Sequence, residues 1–546
     1  MTKNLKYALF ALALVITGMV SGYKLKSSIP YFKQTDYDDS LNKFQQALRF
    51  VEYTYIESVT FESMVDDAIK GMLEGLDPHS FYIPKQEKKG MDEQMAGSFE
   101  GIGVEFNILE DTIYVVAPIS GGPSEKLGIL AGDRIVEVDS QNVAGIGITN
   151  SDVMVKLKGK KGTKVRVGIS RRGVNRILYF DIIRDKIPFY SVDYSYMIEP
   201  KTGYLKLSRF AETTYQEFTE HMAKLKQSGM ENLILDLRSN PGGYMNMAQL
   251  LSDEFLSEGK LIVYTEGRTN ESKSKYTSTS NISSFEKGGL VILIDQGSAS
   301  ASEIVSGAVQ DWDRGLIIGT RSFGKGLVQT QHNFQDGSAM RLVISKYFTP
   351  SGRCIQKPYN KTSKKYNEEI LERFETGEVY DESKIKFPDS LKFKTNSGRT
   401  VYGGGGILPD VFMPLDTTGR SNYYTDLFIN GVFRQYALKY ADTHAEIKNQ
   451  FSNGFDYARR FQVTDELLKD FIAYGEEKKV KFNEKEYQTS LKLIKMLIKA
   501  NIGQRLWNDE GFFPVLHQND QNISMALKLM PDAVKLYETG KFTWKK

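Results

Sequence analysis

Three short segments of the 546-residue chain carry residue types that could do chemistry together. Gly297 to Ala308 reads GSASASEIVSGA, follows an aliphatic run ending at Asp295, and opens a helix-like stretch. Small residues at a strand-to-helix junction let a substrate backbone approach closely. The first helical turn also leaves N–H groups unpaired, where an oxyanion can be stabilised. Serine and alanine cap ordinary helices too, so this segment alone fixes no role. The second segment, Phe323-Gly324-Lys325-Gly326-Leu327-Val328-Gln329, sets a lysine between two glycines just after a predicted buried strand. With no side chain beside it to pair with, such a lysine can be desolvated. Burial disfavours the ammonium and lowers its pKa, making a base usable near neutral pH. Gln329, four residues on, can orient the amine through its amide oxygen. The spacing of a phosphate-binding glycine loop is absent. The third segment, Asp236-Leu237-Arg238-Ser239-Asn240-Pro241-Gly242-Gly243, puts two glycines after a strand end, where an N–H can point into a cleft; by itself it is a turn signal.

The elements around these segments alternate. GYLKLSRF reads as a strand and TYQEFTEHMAKLKQ as a helix with Phe218, Met222 and Leu225 on one face and Gly229 as its cap. Strand NLILDLR, helix MAQLLSDEFL, strand GLVILID, helix ASEIVSGAVQDW and strand GLIIG follow. This order predicts an α/β core whose site gathers at the C-terminal ends of the strands. Upstream, residues 37–76 show helical spacing and end at LDPHSFYIP. Residues 98–187 hold short β-rich runs (GVEFNIL, TIYVVAPI, RIVEVD, KVRVGIS, ILYFDIIR) and one helix-like stretch, SEKLGI. Residues 357–400 read as a charged loop. From about 420 the pattern is helical, with Thr464 as N-cap of TDELLKDFIAYGEEKK.

Composition narrows the function classes. A chain of this length calls for several domains. Its 71 basic and 68 acidic residues nearly balance, and no basic stripe interleaves with aromatics, so no nucleic-acid partner is expected. A single cysteine, Cys354, excludes an intramolecular disulfide and a cysteine zinc site, and the five histidines show no close metal-ligand spacing. Neither a metal nor an organic cofactor is expected. Lys3 and Lys6 precede an uncharged apolar run from Tyr7 to Tyr23, the layout of an export signal or signal anchor. Export to the cell envelope follows, with cleavage of the segment open.

Taken together, LDPHSFYIP, GIGVEF, LGILAGDRIVEVD, LILDLRSNPGG, GSASASEIVSGAVQD, GTRSFGKGLVQT, YFTPSGRCIQ and GILPD resemble, in family order, the carboxyl-terminal processing peptidases. These are Ser/Lys-dyad serine proteases of peptidase family S41 with an inserted PDZ domain. The resemblance implies a multidomain α/β and α+β chain. Its parts would be a signal peptide or anchor (1–22), an N-terminal helical region (23–97), a PDZ domain (98–187), a crotonase-like α/β protease core (188–415) and a C-terminal helical extension (416–546). It assigns Ser300, the middle serine of SASAS, as nucleophile, Lys325 as general base and Gln329 as the residue orienting the base. The oxyanion hole would use the N–H groups of Gly243 and Ala301; Pro241 has no N–H to give. Ser298 and Ser302 would pack and cap. Gly101, Ile102, Gly103 and Val104 would form the carboxylate-binding loop of the PDZ domain, taking polypeptide substrates with apolar C-termini by strand addition. The family also assembles in some members through its terminal helices, which leaves a homo-oligomer open. Two other readings stand beside this one: a Ser-His-Asp hydrolase using His79 or His332, although no GxSxG elbow is present, and a non-catalytic peptide-binding scaffold.

Overall fold

All five residues of Leu290–Ile294 are apolar and buried, as a strand covered on both faces requires. The computed structural model describes residues 34–544 apart from 110, 120, 131, 280–283 and 360–362. The chain divides into two units, one ending at Leu76 and one starting at Asp77. In the first, helices Gln34–Thr54 and Phe61–Glu74 follow one another, and the Thr60 hydroxyl caps the second by accepting from the Ser63 N–H at 3.2 Å. The signal or anchor expected at residues 1–22 lies outside the described residues. Among those described, no helix is long and apolar enough to cross a membrane.

The core of the second unit runs β1 (Val192–Glu199), β2 (Thr202–Leu207), α1 (Thr214–Gln227), β3 (Asn232–Asp236), α2 (Met245–Asp253), β4 (Leu290–Ile294), α3 (Ala301–Asp311), β5 (Leu316–Gly319), β6 (Leu327–Asn333), β7 (Ala339–Phe348), α4 (Ser363–Glu375) and β8 (Val411–Phe412). A six-stranded sheet takes the order β1-β2-β3-β4-β5-β8. The β1–β2 pair is antiparallel and the remaining pairs are parallel. Side chains alternate across the sheet. Leu290, Ile292 and Ile294 pack against Phe218, Met222, Leu251, Ile304 and Val305 of α1, α2 and α3. Val291 and Leu293 point the other way, onto Ile523, Ala526, Met530, Ala533 and Leu536. These belong to helices Gln521–Lys528 and Met530–Thr539, so the C-terminal region supplies the sheet's second layer.

A second sheet centres on β7. The β6–β7 hairpin forms one side, strand Phe81–Ile83 pairs with Ala339–Arg341 of β7, and Leu261–Gly267 pairs with the other end. This brings the DPHS segment, just before Phe81, next to the strand carrying Gln329.

Along the chain between Ile83 and β1, residues 104–183 form an antiparallel sheet of strands Val104–Leu109, Thr112–Pro118, Arg134–Val138, Lys164–Ser170 and Leu178–Ile183, in that order, with Val104–Leu109 at the edge. Helix Asn150–Leu157 packs Val153 and Leu157 into its core of Ile113, Val115, Ile135, Val165 and Val167. That helix was not expected, although Thr149 and Asp152 close a capping box at its start. The SEKLGI helix shrinks to one turn, Pro123–Lys126, because Gly128 takes φ +80 and ends it. The expected loop at 357–400 is corrected as well: it holds α4 and a small hairpin of Lys392–Lys394 with Thr400–Tyr402. What folds α4 inward is buried charge, with Arg373 only 2% exposed and paired to Glu369.

Candidate active site

The turns after β3 and β4 interlock. Asn240 is fully buried; its side-chain N–H donates to the Leu207 carbonyl at 2.9 Å, and its own carbonyl accepts from the Ala299 N–H at 3.0 Å and the Ser302 hydroxyl at 2.9 Å. Ser298 donates its hydroxyl to the Leu237 carbonyl at 2.8 Å, so Ser298 and Ser302 do pack and fasten the turn. Gly242 has φ +93, and a Cβ there would lie 2.6 Å from Ala299 O and 2.8 Å from Ala301 N. Gly243 has φ +147, and its Cβ would meet Phe210 O at 2.0 Å. Only glycine fits either position. Behind the turn, Arg238 pairs with buried Asp236 and, at 2.8 Å, with Asp520 of the C-terminal region. Burial opposes ionisation of Asp236, yet Arg238 and Lys206 hold its carboxyl well below the usual carboxylate range.

Ser300 is the point of strain. It sits at φ 54, ψ −110, a conformation costing a non-glycine residue about 1–3 kcal/mol. The backbone is kept there by its neighbours: the Ser300 N–H donates to Glu303 Oε2 at 2.8 Å, and α3 starts at Ala301. Among the described residues, neither the Ala301 N–H nor the Gly243 N–H has an acceptor, whereas the Gly242 N–H donates to Asn240 Oδ1 at 2.9 Å. Two donors beside Ser300 are thus left for something else to use.

Lys325 approaches from the loop before β6. Its glycines are needed for packing: Gly324 has φ +89, and a Cβ on Gly326 would lie 2.7 Å from Gln356 N. The ammonium nitrogen donates to Gln329 Oε1 at 2.7 Å, and Gln329 Nε2 in turn donates to the His79 carbonyl. The amide can therefore face only one way, with its oxygen toward the amine. Asp77 shapes the segment that offers that carbonyl, accepting from the N–H groups of His79 and Ser80 at 2.7 and 2.8 Å and from the Ser80 hydroxyl at 2.6 Å. Burial pushes the Lys325 pKa below its ordinary 10.5, Arg341 pushes the same way, and Glu303 and Asp77 oppose. Ser300, Lys325, Gln329 and Gly243 line one cleft of about 680 Å³, together with Met245, Ile304, Leu327 and Tyr347. No hydrogen bond joins Ser300 Oγ to Lys325 Nζ among the described residues; contacts of this kind are often long without a substrate.

Two residues not singled out from the sequence tie the Ser300 turn to the Lys325 loop. Glu303, fully buried, accepts four hydrogen bonds: Ser322 Oγ at 2.5 Å and Gly324 N–H at 2.7 Å on Oε1, Lys325 N–H at 2.9 Å and Ser300 N–H at 2.8 Å on Oε2. Burial raises its pKa against the pull of these donors. The Tyr347 hydroxyl lies 2.7 Å from the Lys325 carbonyl oxygen and 3.1 Å from that of Ser300. Glu303 was findable, since it falls three residues after Ser300, as the acidic partner of a capping box. Nothing in the local pattern marks Tyr347.

The remaining candidates lie elsewhere. Gly101, Ile102 and Gly103 are buried at the start of the edge strand Val104–Leu109, and do not line the cleft. The Ile102 and Gly103 carbonyls accept from Ser124 and Ile119 N–H groups, while their own N–H groups have no acceptor among the described residues. His79 and His332 do not line the cleft either. Burial and the Lys325 charge lower His79 to about 4, which makes it a poor base.

Comparison with known proteins identifies the family. The model of peptidase family S41 matches residues 201–362 and that of the PDZ domain residues 101–179. A model for the N-terminal domain of the activating protease CtpB matches 16–87, and one for a family of unknown function matches 423–508. The carboxy-terminal processing protease CtpA of Bacillus subtilis is 36% identical over 348 residues, 64% of this chain and 72% of that protein. The carboxy-terminal-processing protease of Bartonella bacilliformis is 36% identical over 348 residues, covering 62% and 79%. CtpB of Bacillus subtilis is 32% identical over 339 residues, covering 61% and 69%. A serine-type peptidase with an inserted PDZ domain is the class these features define. The chain belongs to the carboxy-terminal processing proteases of peptidase family S41, and its substrates are polypeptides.

Proposed function

We propose that this peptidase cleaves exported or envelope proteins near their C-termini, with Ser300 as nucleophile and Lys325 as general base. The observation that carries this reading is the convergence of the two residues on one cleft, with their backbones fastened to the same Glu303 carboxylate. Neutral Lys325 takes the Ser300 hydroxyl proton as Oγ attacks the scissile carbonyl, and the N–H groups of Gly243 and Ala301 hold the tetrahedral oxyanion. The protonated amine then gives its proton to the departing amine of the substrate. Water, deprotonated by the same lysine, hydrolyses the acyl-enzyme. Gln329 orients the base through its amide oxygen.

Among the described residues, the unpaired N–H groups of Ile102 and Gly103 and the free edge of Val104–Leu109 support a second role, capture of an apolar substrate C-terminus as an added strand. Residues 98–187 would thus recruit, 188–415 cut, and 416–546 buttress the core. Residues 1–22 would direct export or anchor the chain in the envelope, and the terminal helices offer a route to a homo-oligomer. The test is a peptidase assay on Ser300→Ala, Lys325→Ala and the double variant. Each single change should abolish turnover and the double should be no worse, because the two act as one unit. Substantial turnover by Lys325→Ala would discard the assignment.

A further inference from the structure

The loop that carries Lys325 is held from two directions. Its N–H groups at Gly324 and Lys325 go to Glu303 on α3. The carbonyls from Arg321 to Gly324 meet donors of α4 and of the segment leading into it, while that of Lys325 accepts from Tyr347. One guanidinium, that of Arg373, donates to three successive carbonyls: Ser322 at 2.8 Å, Phe323 at 3.1 Å and Arg321 at 3.3 Å. The next carbonyl, Gly324, accepts from the Lys357 N–H at 2.9 Å.

The same helix also reaches the other partner of the amine. The Tyr366 ring stands edge-on to His79 with centroids 4.8 Å apart, and the His79 carbonyl is what fixes Gln329. Lys357 joins the two contacts: its ammonium lies 4.2 Å from both the Phe323 and Tyr366 rings and donates to Glu369 Oε2 at 2.8 Å. Glu369 also accepts from Arg373 Nε at 2.8 Å. Buried Lys357, Tyr366 and Arg373 thus form one block with part-exposed Glu369, facing the Lys325 loop on one side and the His79 segment on the other. The block lies largely outside the matched peptidase family region, which ends at residue 362.

We propose that α4 is a positioning element for the base, in which Arg373 sets the Lys325 loop and Tyr366 sets the His79–Gln329 arm. The proposal rests on the assignment of Lys325 as base. Buried carbonyls that lose their donors must find water. Without Arg373, three of them drive the Arg321–Phe323 stretch outward, and Lys325 is drawn toward solvent with it. A better-solvated lysine regains its ordinary affinity for the proton, so less of it is neutral at a given pH.

The experiment measures kcat and KM from pH 6 to 10.5 on full-length protein for wild type, Arg373→Ala, Arg373→Lys, Tyr366→Leu and Tyr366→Phe, with Lys325→Ala in parallel. Arg373→Ala should lower kcat about tenfold or more at neutral pH with KM little changed. Its rising limb should move to higher pH, and millimolar guanidinium should recover part of the loss by filling the vacated place. Arg373→Lys, which keeps the charge but spans fewer carbonyls, should fall between, and guards against a misfolded alanine variant. Tyr366→Leu should shift the same way by less, and Tyr366→Phe, which keeps the ring against His79 but loses the hydroxyl that accepts from Gln356 Nε2 at 3.1 Å, should fall between Tyr366→Leu and wild type. A wild-type midpoint in both Arg373 variants, or a loss equal at every pH without guanidinium rescue, would overturn the proposal. Full activity of Lys325→Ala would instead overturn the base assignment beneath it.

Discussion

Glu303→Gln removes one charge and no volume, so it isolates the link between the Ser300 turn and the Lys325 loop. The carboxylate accepts four hydrogen bonds, two on each oxygen. An amide offers one accepting oxygen and one donating nitrogen. Placed at Oε2, the nitrogen would confront the Ser300 and Lys325 N–H groups. Placed at Oε1, it meets the Ser322 hydroxyl, which can turn to accept, and the Gly324 N–H, which cannot. The second orientation is cheaper. It leaves one buried N–H unsatisfied, costing about 1–3 kcal/mol, and weakens two charge-assisted bonds to neutral ones at about 1–1.5 kcal/mol each. The sum is about 3–6 kcal/mol of local stability, or roughly 100- to 20,000-fold in the opening equilibrium. Hydrogen–deuterium exchange read by mass spectrometry should show that acceleration in peptides covering 298–304 and 322–327. Amides of β4 should exchange as in wild type, and peptidase activity should fall in step. Exchange within threefold of wild type at both segments, with activity retained, would show that Glu303 does not fasten the Ser300 turn to the Lys325 loop.

The Lys325 pKa is lowered, so the neutral, active amine should appear as pH rises, at a midpoint below the ordinary 10.5. A kcat/KM profile should therefore climb through that midpoint, and Lys325→Arg should be inactive throughout, because guanidinium keeps its proton in this range. In full-length Ser300→Ala, a peptide with a free apolar C-terminus should bind more tightly than its amidated form by titration calorimetry; equal affinities would remove the Gly101–Val104 loop as a carboxylate reader. Truncation after Asp520 strips Ile523, Met530 and Leu536 from the back of the six-stranded sheet. At about 1.5–3 kcal/mol for each large side chain, the loss is of the order of a domain's whole stability, so the truncated chain should not accumulate in soluble form.

Much of the core was legible because its signals are local. The alternation from β2 to β5 follows from apolar runs of the right length separated by periodic helices, and α1 falls on the residues its spacing indicates. Residues joined by distant segments were harder to see. Gln329 is readable as a partner for Lys325 from its four-residue spacing, but the His79 carbonyl that turns its amide lies 250 positions away. The DPHS segment therefore reads as structural from sequence, and its service to the site appears only through pairing with β7. The loop expected at 357–400 conceals α4 because charged residues crowd its short apolar stripe of Tyr366, Ile370 and Phe374, and much of its hold on the core runs through buried Arg373 and its partner Glu369. Likewise, residues 521–539 show amphipathic helices, while the sheet face they cover belongs to strands some 200 residues earlier.

Activation of Ser300 by Lys325 can be read by covalent labelling of the serine. Full-length protein would be treated with a fluorophosphonate at pH 8 and the adduct located by peptide mass spectrometry. Wild type should carry one adduct, on Ser300, at a rate that rises with pH. Lys325→Ala and Lys325→Arg should label at least 100-fold more slowly, in keeping with the loss of a general base. An adduct on another serine, or Ser300 labelled at the wild-type rate in either lysine variant, would contradict it.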